Sequence, residues 1–226
     1  MRWSWIPALA GMTIVVTVSA KEVALDVGHY AAEPGVISVS GVPEFEFNLA
    51  LAVDVKAELE KHQLKVRLIG ERGDYAVLHH RTRDARGADL FVSIHHDSVQ
   101  ERLLPQADHF AAGFSLFVSR QNPQPRKSLA CASAIGAKLR GAGFTPSRYH
   151  ADPVLGESRP FADEANGVHY YDNLAVARTA TMAAVLVEGG VLVNREEEKR
   201  MRDPEVRRRI AVAVATGVRE CLAKEP

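Results

Sequence analysis

Val23-Ala24-Leu25-Asp26-Val27-Gly28-His29 is the stretch whose reading decides the fold. An apolar run closed by Gly-His is the pattern of a buried strand that delivers a histidine to the edge of a sheet. Asp89-Leu90-Phe91-Val92-Ser93-Ile94-His95 repeats it, and Ala184-Val185-Leu186-Val187-Glu188 ends the same way in a glutamate. Further strands are expected over 64–69, 114–118 and 174–177. Helical periodicity predicts helices over 44–62, 77–87, 125–141, 195–202 and 204–222. Strands alternating with helices predict one α/β domain with a largely parallel central sheet flanked by helices on both faces. In such sheets the ligand site lies outside the carboxyl ends of the strands. His29, His95 and Glu188 all fall at such ends.

The totals fit one domain with a sizeable core: 226 residues, 46% hydrophobic and 25% charged. Lysine plus arginine equals aspartate plus glutamate, 28 each, so no global charge steers the chain to nucleic acid or an anionic membrane. Residues 1–20 differ from the rest. Arg2 precedes an apolar run from Trp3 to Val18, and Val18-Ser19-Ala20 offers the small residues of a signal-peptidase site. Cleavage after Ala20 would leave 21–226 as the mature domain with no stable membrane span. Cys131 and Cys221 stand 90 positions apart in apolar helical patterns. Two buried free thiols are expected there rather than a bridge. Residues 145–173 carry Pro146, Pro153 and Pro160 and little periodicity, the profile of a functional lid or of a loop holding one short helix, expected to line or gate the substrate groove.

Two imidazoles and a carboxylate form the donor set of a catalytic zinc site, which keeps one position open for water. His29 and His95 offer the nitrogens. Glu44, at the head of a predicted helix, can offer the oxygen, which leaves Glu188 free as a base. Each has a plainer alternative. Gly-His also closes an ordinary turn; His96 stands beside His95; Glu44 and Glu46 are also first-turn acids favoured by the helix dipole. Glu188 is the most informative, because a carboxylate ending a buried strand is costly unless paired, ligating or catalytic. Asp26 either orients His29 or caps a turn.

Four motifs occur together and in order: Asp26-Val27-Gly28-His29; Glu44 with Asn48-Leu49-Ala50; Ser93-Ile94-His95-His96-Asp97; and Leu186-Val187-Glu188-Gly189-Gly190 with Asn194. In this the chain resembles the zinc-dependent N-acetylmuramoyl-L-alanine amidases, bacterial cell-wall enzymes that cut between the lactyl group of muramic acid and the first L-alanine of the stem peptide. Arg81 with Ala85, and Leu174 to Arg178, share the likeness, which covers roughly residues 23–222. The resemblance implies one zinc ion held by His29, Glu44 and His95, with Glu188 as the catalytic carboxylate. It favours Glu44 over Glu46, because Glu44 stands four before Asn48, and His95 over His96, because His95 directly follows Ser-Ile. Arg178, Asn194 and His96 are then the expected substrate contacts, with Asp26 behind His29. Asn194 is also placed to cap the following helix.

Peptidoglycan is the implied substrate, an activator protein is a further candidate partner, and the periplasm is the expected location. Tyr30, Glu33-Pro34-Gly35 and Val27 depart from the family pattern, which bears on the rim and the substrate preference more than on the metal. A zinc peptidase of related fold and a non-catalytic peptidoglycan-binding module are the competing readings.

Overall fold

The computed structural model describes residues 20–224. The expected signal segment lies outside the described residues, except for Ala20. Seven strands form one sheet: β1 (Glu22–Val27), β2 (Lys65–Ile69), β3 (Leu90–Asp97), β4 (Ser115–Val118), β5 (Phe161–Asp163), β6 (Val168–Tyr170) and β7 (Ala183–Val191). Their order is β2-β1-β3-β7-β4-β6-β5. β2, β1, β3 and β7 run parallel. β4 opposes β7, β6 runs parallel to β4, and β5 opposes β6.

The parallel strands are buried on both faces, which is why they read as unbroken apolar runs. On one face Val23, Leu25, Val92 and Val185 pack with α1 (Glu44–Lys61), α3 (Pro125–Gly141) and α6 (Pro204–Ala223). On the other, Ala24, Phe91, Ala184 and Leu186 pack with α2 (Leu78–Asp84) and α4 (Ala175–Thr179). α5 (Arg195–Arg202) follows β7. Helices therefore cover both faces, as the alternation predicts.

Three expectations are corrected. Residues 174–177, expected as a strand, are the N-cap Leu174 and the first three residues of the short helix α4. Their apolar run looks strand-like, but Val176 and Ala177 bury one helical face against the sheet. Residues 145–173, expected to be mostly irregular, add β5 and β6 to the sheet edge together with 3-10 turns at Tyr149–Ala151 and Glu164–Asn166. Three-residue strands are too short to show a period. Cys131 and Cys221 are joined by a disulfide, not free, with a Cα–Cα distance of 5.0 Å. α3 and α6 pack so tightly that a Cβ on Gly217 would lie 2.5 Å from the Ile135 Cα. One turn before Ile135 in α3 and one turn after Gly217 in α6 stand the two cysteines, brought together by antiparallel packing that sequence distance conceals.

Candidate metal centre

The carboxyl end of the parallel strands carries the predicted residues. β3 places His95 in register with Glu188 of β7, so both side chains stand on the same face of the sheet. β1 ends one residue before Gly28, whose amide donates the last ladder bond to the Ile94 carbonyl at 2.9 Å. His29 follows with φ 66°, a left-handed conformation unusual for a non-glycine residue. Gly28 is required by proximity: a Cβ there would lie 2.3 Å from His95 Nε2. Gly35 serves the opposite wall, where a Cβ would come within 2.3 Å of Glu44 Oε2.

Glu44 opens α1 and sits between the two histidines. Its Oε2 is 3.0 Å from His29 Nε2, and its Oε1 is 3.1 Å from His95 Nδ1. Asn48, one turn along α1, donates from Nδ2 to Glu44 Oε1 at 3.0 Å, and the Val36 amide donates to Oε2 at 3.3 Å. Burial alone would raise the Glu44 pKa. Hydrogen bonds from His29 and His95 and their positive potential outweigh it and hold the carboxyl well below the usual carboxylate range.

Donor atoms of His29, Glu44 and His95 all lie within 4.8 Å of one another. Two ligands on a tetrahedral zinc, with bonds near 2.0 Å, stand about 3.3 Å apart. The separation of His29 Nε2 from Glu44 Oε2, 3.0 Å, is close to that spacing, and His95 Nδ1 lies 3.1 Å from the other carboxylate oxygen. Two nitrogens and one carboxylate oxygen match the donor set of a catalytic zinc site.

Glu188 is not a member of that set. Its Oε2 is buried without a hydrogen-bond partner. Burial raises its pKa well above the ordinary value, the carboxylates of Asp97 and Glu44 push it further, and Arg159 pulls the other way. Such a group holds a proton near neutral pH more readily than an exposed glutamate, which suits a group that must both accept and return one.

The other expected residues take different places. His96, next to His95 on β3, turns to the opposite face from His95 and is 4% exposed. Its Nδ1 pairs with Asn48 Oδ1 at 2.8 Å, and burial lowers its pKa to about 4. It therefore supports Asn48, which in turn supports Glu44. Asn194 caps α5, accepting from the amides of Glu196 at 2.9 Å and Glu197 at 3.1 Å. Arg178 is exposed at the end of α4, outside the lining of the cleft. Asp26 faces Arg81 and Ser93, at 2.7 and 2.6 Å.

Two residues escaped sequence reading. His150 Nε2 lies 2.5 Å from Asp97 Oδ2, and the Arg159 guanidinium stacks 3.7 Å from the Tyr171 ring centroid. Burial opposes charge on His150, but Asp97 and Glu157 raise its pKa to about 9. Nothing in the local sequence announces a pair 53 positions apart. Asn48 did carry a signal, since it stands one helical turn from Glu44.

A cleft of about 520 Å³ opens over His29 and His95. Tyr30, Glu33, Leu78, Tyr171, Asn173 and Leu174 are among the residues that line it. The volume suits a sizeable ligand rather than a lone ion.

A family model described as N-acetylmuramoyl-L-alanine amidase (Amidase_3) matches residues 23–220. The chain belongs to this amidase family. The amidase is 26% identical over 245 residues to N-acetylmuramoyl-L-alanine amidase AmiA of Salmonella typhimurium, covering 89% of this chain and 76% of that protein. It superposes on the catalytic domain of CwlV, an N-acetylmuramoyl-L-alanine amidase from Bacillus (Paenibacillus) polymyxa var. colistinus, with a TM-score of 0.71 and 29% identity, covering 91% and 99% of the two chains. The apo form of Ami1 from Mycobacterium abscessus gives a TM-score of 0.74 at 22% identity, covering 91% and 100%, a likeness of fold. The reaction of the family is hydrolysis of the amide between N-acetylmuramic acid and L-alanine in peptidoglycan.

Proposed function

We propose that this amidase works with one zinc ion held by His29, Glu44 and His95, and that Glu188 moves the proton of the reaction. The observation that carries the proposal is the His–Glu–His donor set on three separate elements, with Glu188 in register beside His95. Zinc in such a site makes a water acidic enough to ionise near neutral pH and polarises the carbonyl to be attacked. The chain's own residues do the rest. Asn48 and the Val36 amide orient the Glu44 carboxylate. Glu188 accepts a proton from the attacking water and returns it to the departing alanine nitrogen, so the amide becomes a carboxylic acid and a free amine. The walls of the cleft hold the glycan–peptide junction over the site.

We also place the enzyme outside the cytoplasm, in the periplasm. A disulfide between α3 and α6 supports this, since such bridges persist in oxidising compartments. Among the described residues no helix is long and apolar enough to cross a membrane.

The test combines metal analysis with product analysis. Purified protein should carry close to one zinc per chain, and digestion of peptidoglycan should release stem peptides with a free N-terminal alanine, seen by mass spectrometry. Cleavage within the stem peptide instead would mark a peptidase, and the absence of any released fragment would leave a binding module.

A further inference from the structure

We propose that Arg81 is a positioning residue for the metal ligand His29, holding the left-handed turn that aims its imidazole at Glu44. The inference rests on the reading of His29, Glu44 and His95 as metal ligands.

The three ligands are secured differently. His95 lies within β3 and is fixed by the ladder. Glu44 is fixed by Asn48 and the Val36 amide. His29 stands beyond the last ladder bond of β1; its ring meets Glu44 at 3.0 Å and the edge of His95, but no strand pairing fixes its backbone. Its backbone is also in a conformation that a histidine leaves readily, with φ 66°. Relaxation to negative φ would swing the Cβ away from Glu44. Asn48 Nδ2 donates to the Gly28 carbonyl at 3.3 Å, and a partner must hold the carbonyls on either side of it as well.

Arg81 is in place to do so. It is 1% exposed and reaches the site from α2. Nη1 donates to the Val27 carbonyl at 2.5 Å and to Asp26 Oδ1 at 2.7 Å. Nη2 donates to the His29 carbonyl and to the Tyr75 carbonyl, the latter at 3.1 Å. One guanidinium thus grips the carbonyls on either side of Gly28. Asp26 balances its charge and is itself held by the Ser93 hydroxyl at 2.6 Å. Reaching several carbonyls and a carboxylate at once needs the planar fork of an arginine, which the point charge of a lysine does not supply. Gly70 leaves room for the fork: a Cβ there would meet Arg81 Nη1 at 2.8 Å and the Val27 carbonyl at 3.0 Å.

Arg81→Lys keeps the charge and loses the fork. Gly70→Ala keeps every donor, crowds the fork and strains a backbone at φ 81°, so its thermal stability is measured alongside. Zinc affinity, measured by competition with a chromophoric chelator, should fall by about 10- to 100-fold in both, the usual effect of disturbing a group behind a metal ligand. The absorption bands of the cobalt-substituted variants should shift from those of the wild type, while far-ultraviolet circular dichroism stays the same. A purely structural role for Arg81 would leave the cobalt bands in place. Wild-type affinity and spectrum in Gly70→Ala overturn the inference, even if Arg81→Lys does not fold. His29→Ala separates the two levels: if it binds zinc as well as the wild type, the ligand assignment fails first, and the role of Arg81 fails with it.

Discussion

At the scale of single residues, the unpaired Oε2 of Glu188 and the carboxylates around it set two expectations. Glu188→Gln should keep zinc while lowering kcat by roughly 10²- to 10⁴-fold, the usual contribution of a general acid–base group. His29→Ala should lose both metal and turnover. Metal content and steady-state rates on purified peptidoglycan check the pair, and near-normal turnover in Glu188→Gln would refute the assignment. The second expectation concerns stability without metal. The folded pKa of Glu188 is raised, so its protonated form is the one the fold tolerates. At pH below the unfolded value the two proteins should be equally stable. As pH rises above it, the unfolded wild-type chain gains by ionising, and the wild type should become less stable than Glu188→Gln. A melting-temperature difference between the two that does not change with pH would contradict this.

His150 gives the opposite sign. Its pKa rises from 6.5 to about 9 on folding, through Asp97 and Glu157 and against burial. The stabilisation is fully present below pH 6.5 and is lost as pH rises through about 9. His150→Gln should therefore cost about 3 kcal/mol at pH 6, and much less at pH 10, in denaturant unfolding.

Single elements explain what the sequence could and could not show. β1, β3 and β7 are legible because central parallel strands are buried on both faces and read as apolar runs, although β3 and β7 continue past His95 and Glu188. α4 is not, because five residues of mixed apolar and β-branched type fit either period. Asn194 shows how one motif residue can have a local task. It caps α5, whose first turn carries Glu196, Glu197 and Glu198. Asn194→Ala should cost about 1 kcal/mol, the usual value for a lost N-cap. Substrate affinity should stay unchanged. A raised KM at unchanged stability would instead give Asn194 the substrate contact that its place in the motif suggested.

For the whole molecule, the decisive contact is the α3–α6 bridge. It closes a loop of 90 positions, and removing a native bridge typically costs 2–5 kcal/mol. The double variant Cys131→Ala, Cys221→Ala should melt roughly 5–15 °C lower while keeping zinc and turnover, given the 2–4 °C shift per kcal/mol of a domain this size. The bridge lies on the far side of the sheet from the residues of the cleft, so a loss of metal with the bridge would be unexpected.

The amino-acid sequence by itself determined the α/β class and the strands that lead to His29, His95 and Glu188, while the preference for Glu44 over Glu46 came from the motif shared with the amidase family. Each of these rests on local periodicity or on motifs a few residues long. Only the tertiary structure decided the Cys131–Cys221 bridge, the Asp97–His150 pair, the support of Asn48 by His96 and the grip of Arg81 on the His29 turn. The physical reason is range. Hydrophobic pattern is written residue by residue along the chain, whereas a hydrogen bond or a bridge depends on distances that exist only once helices and strands have packed.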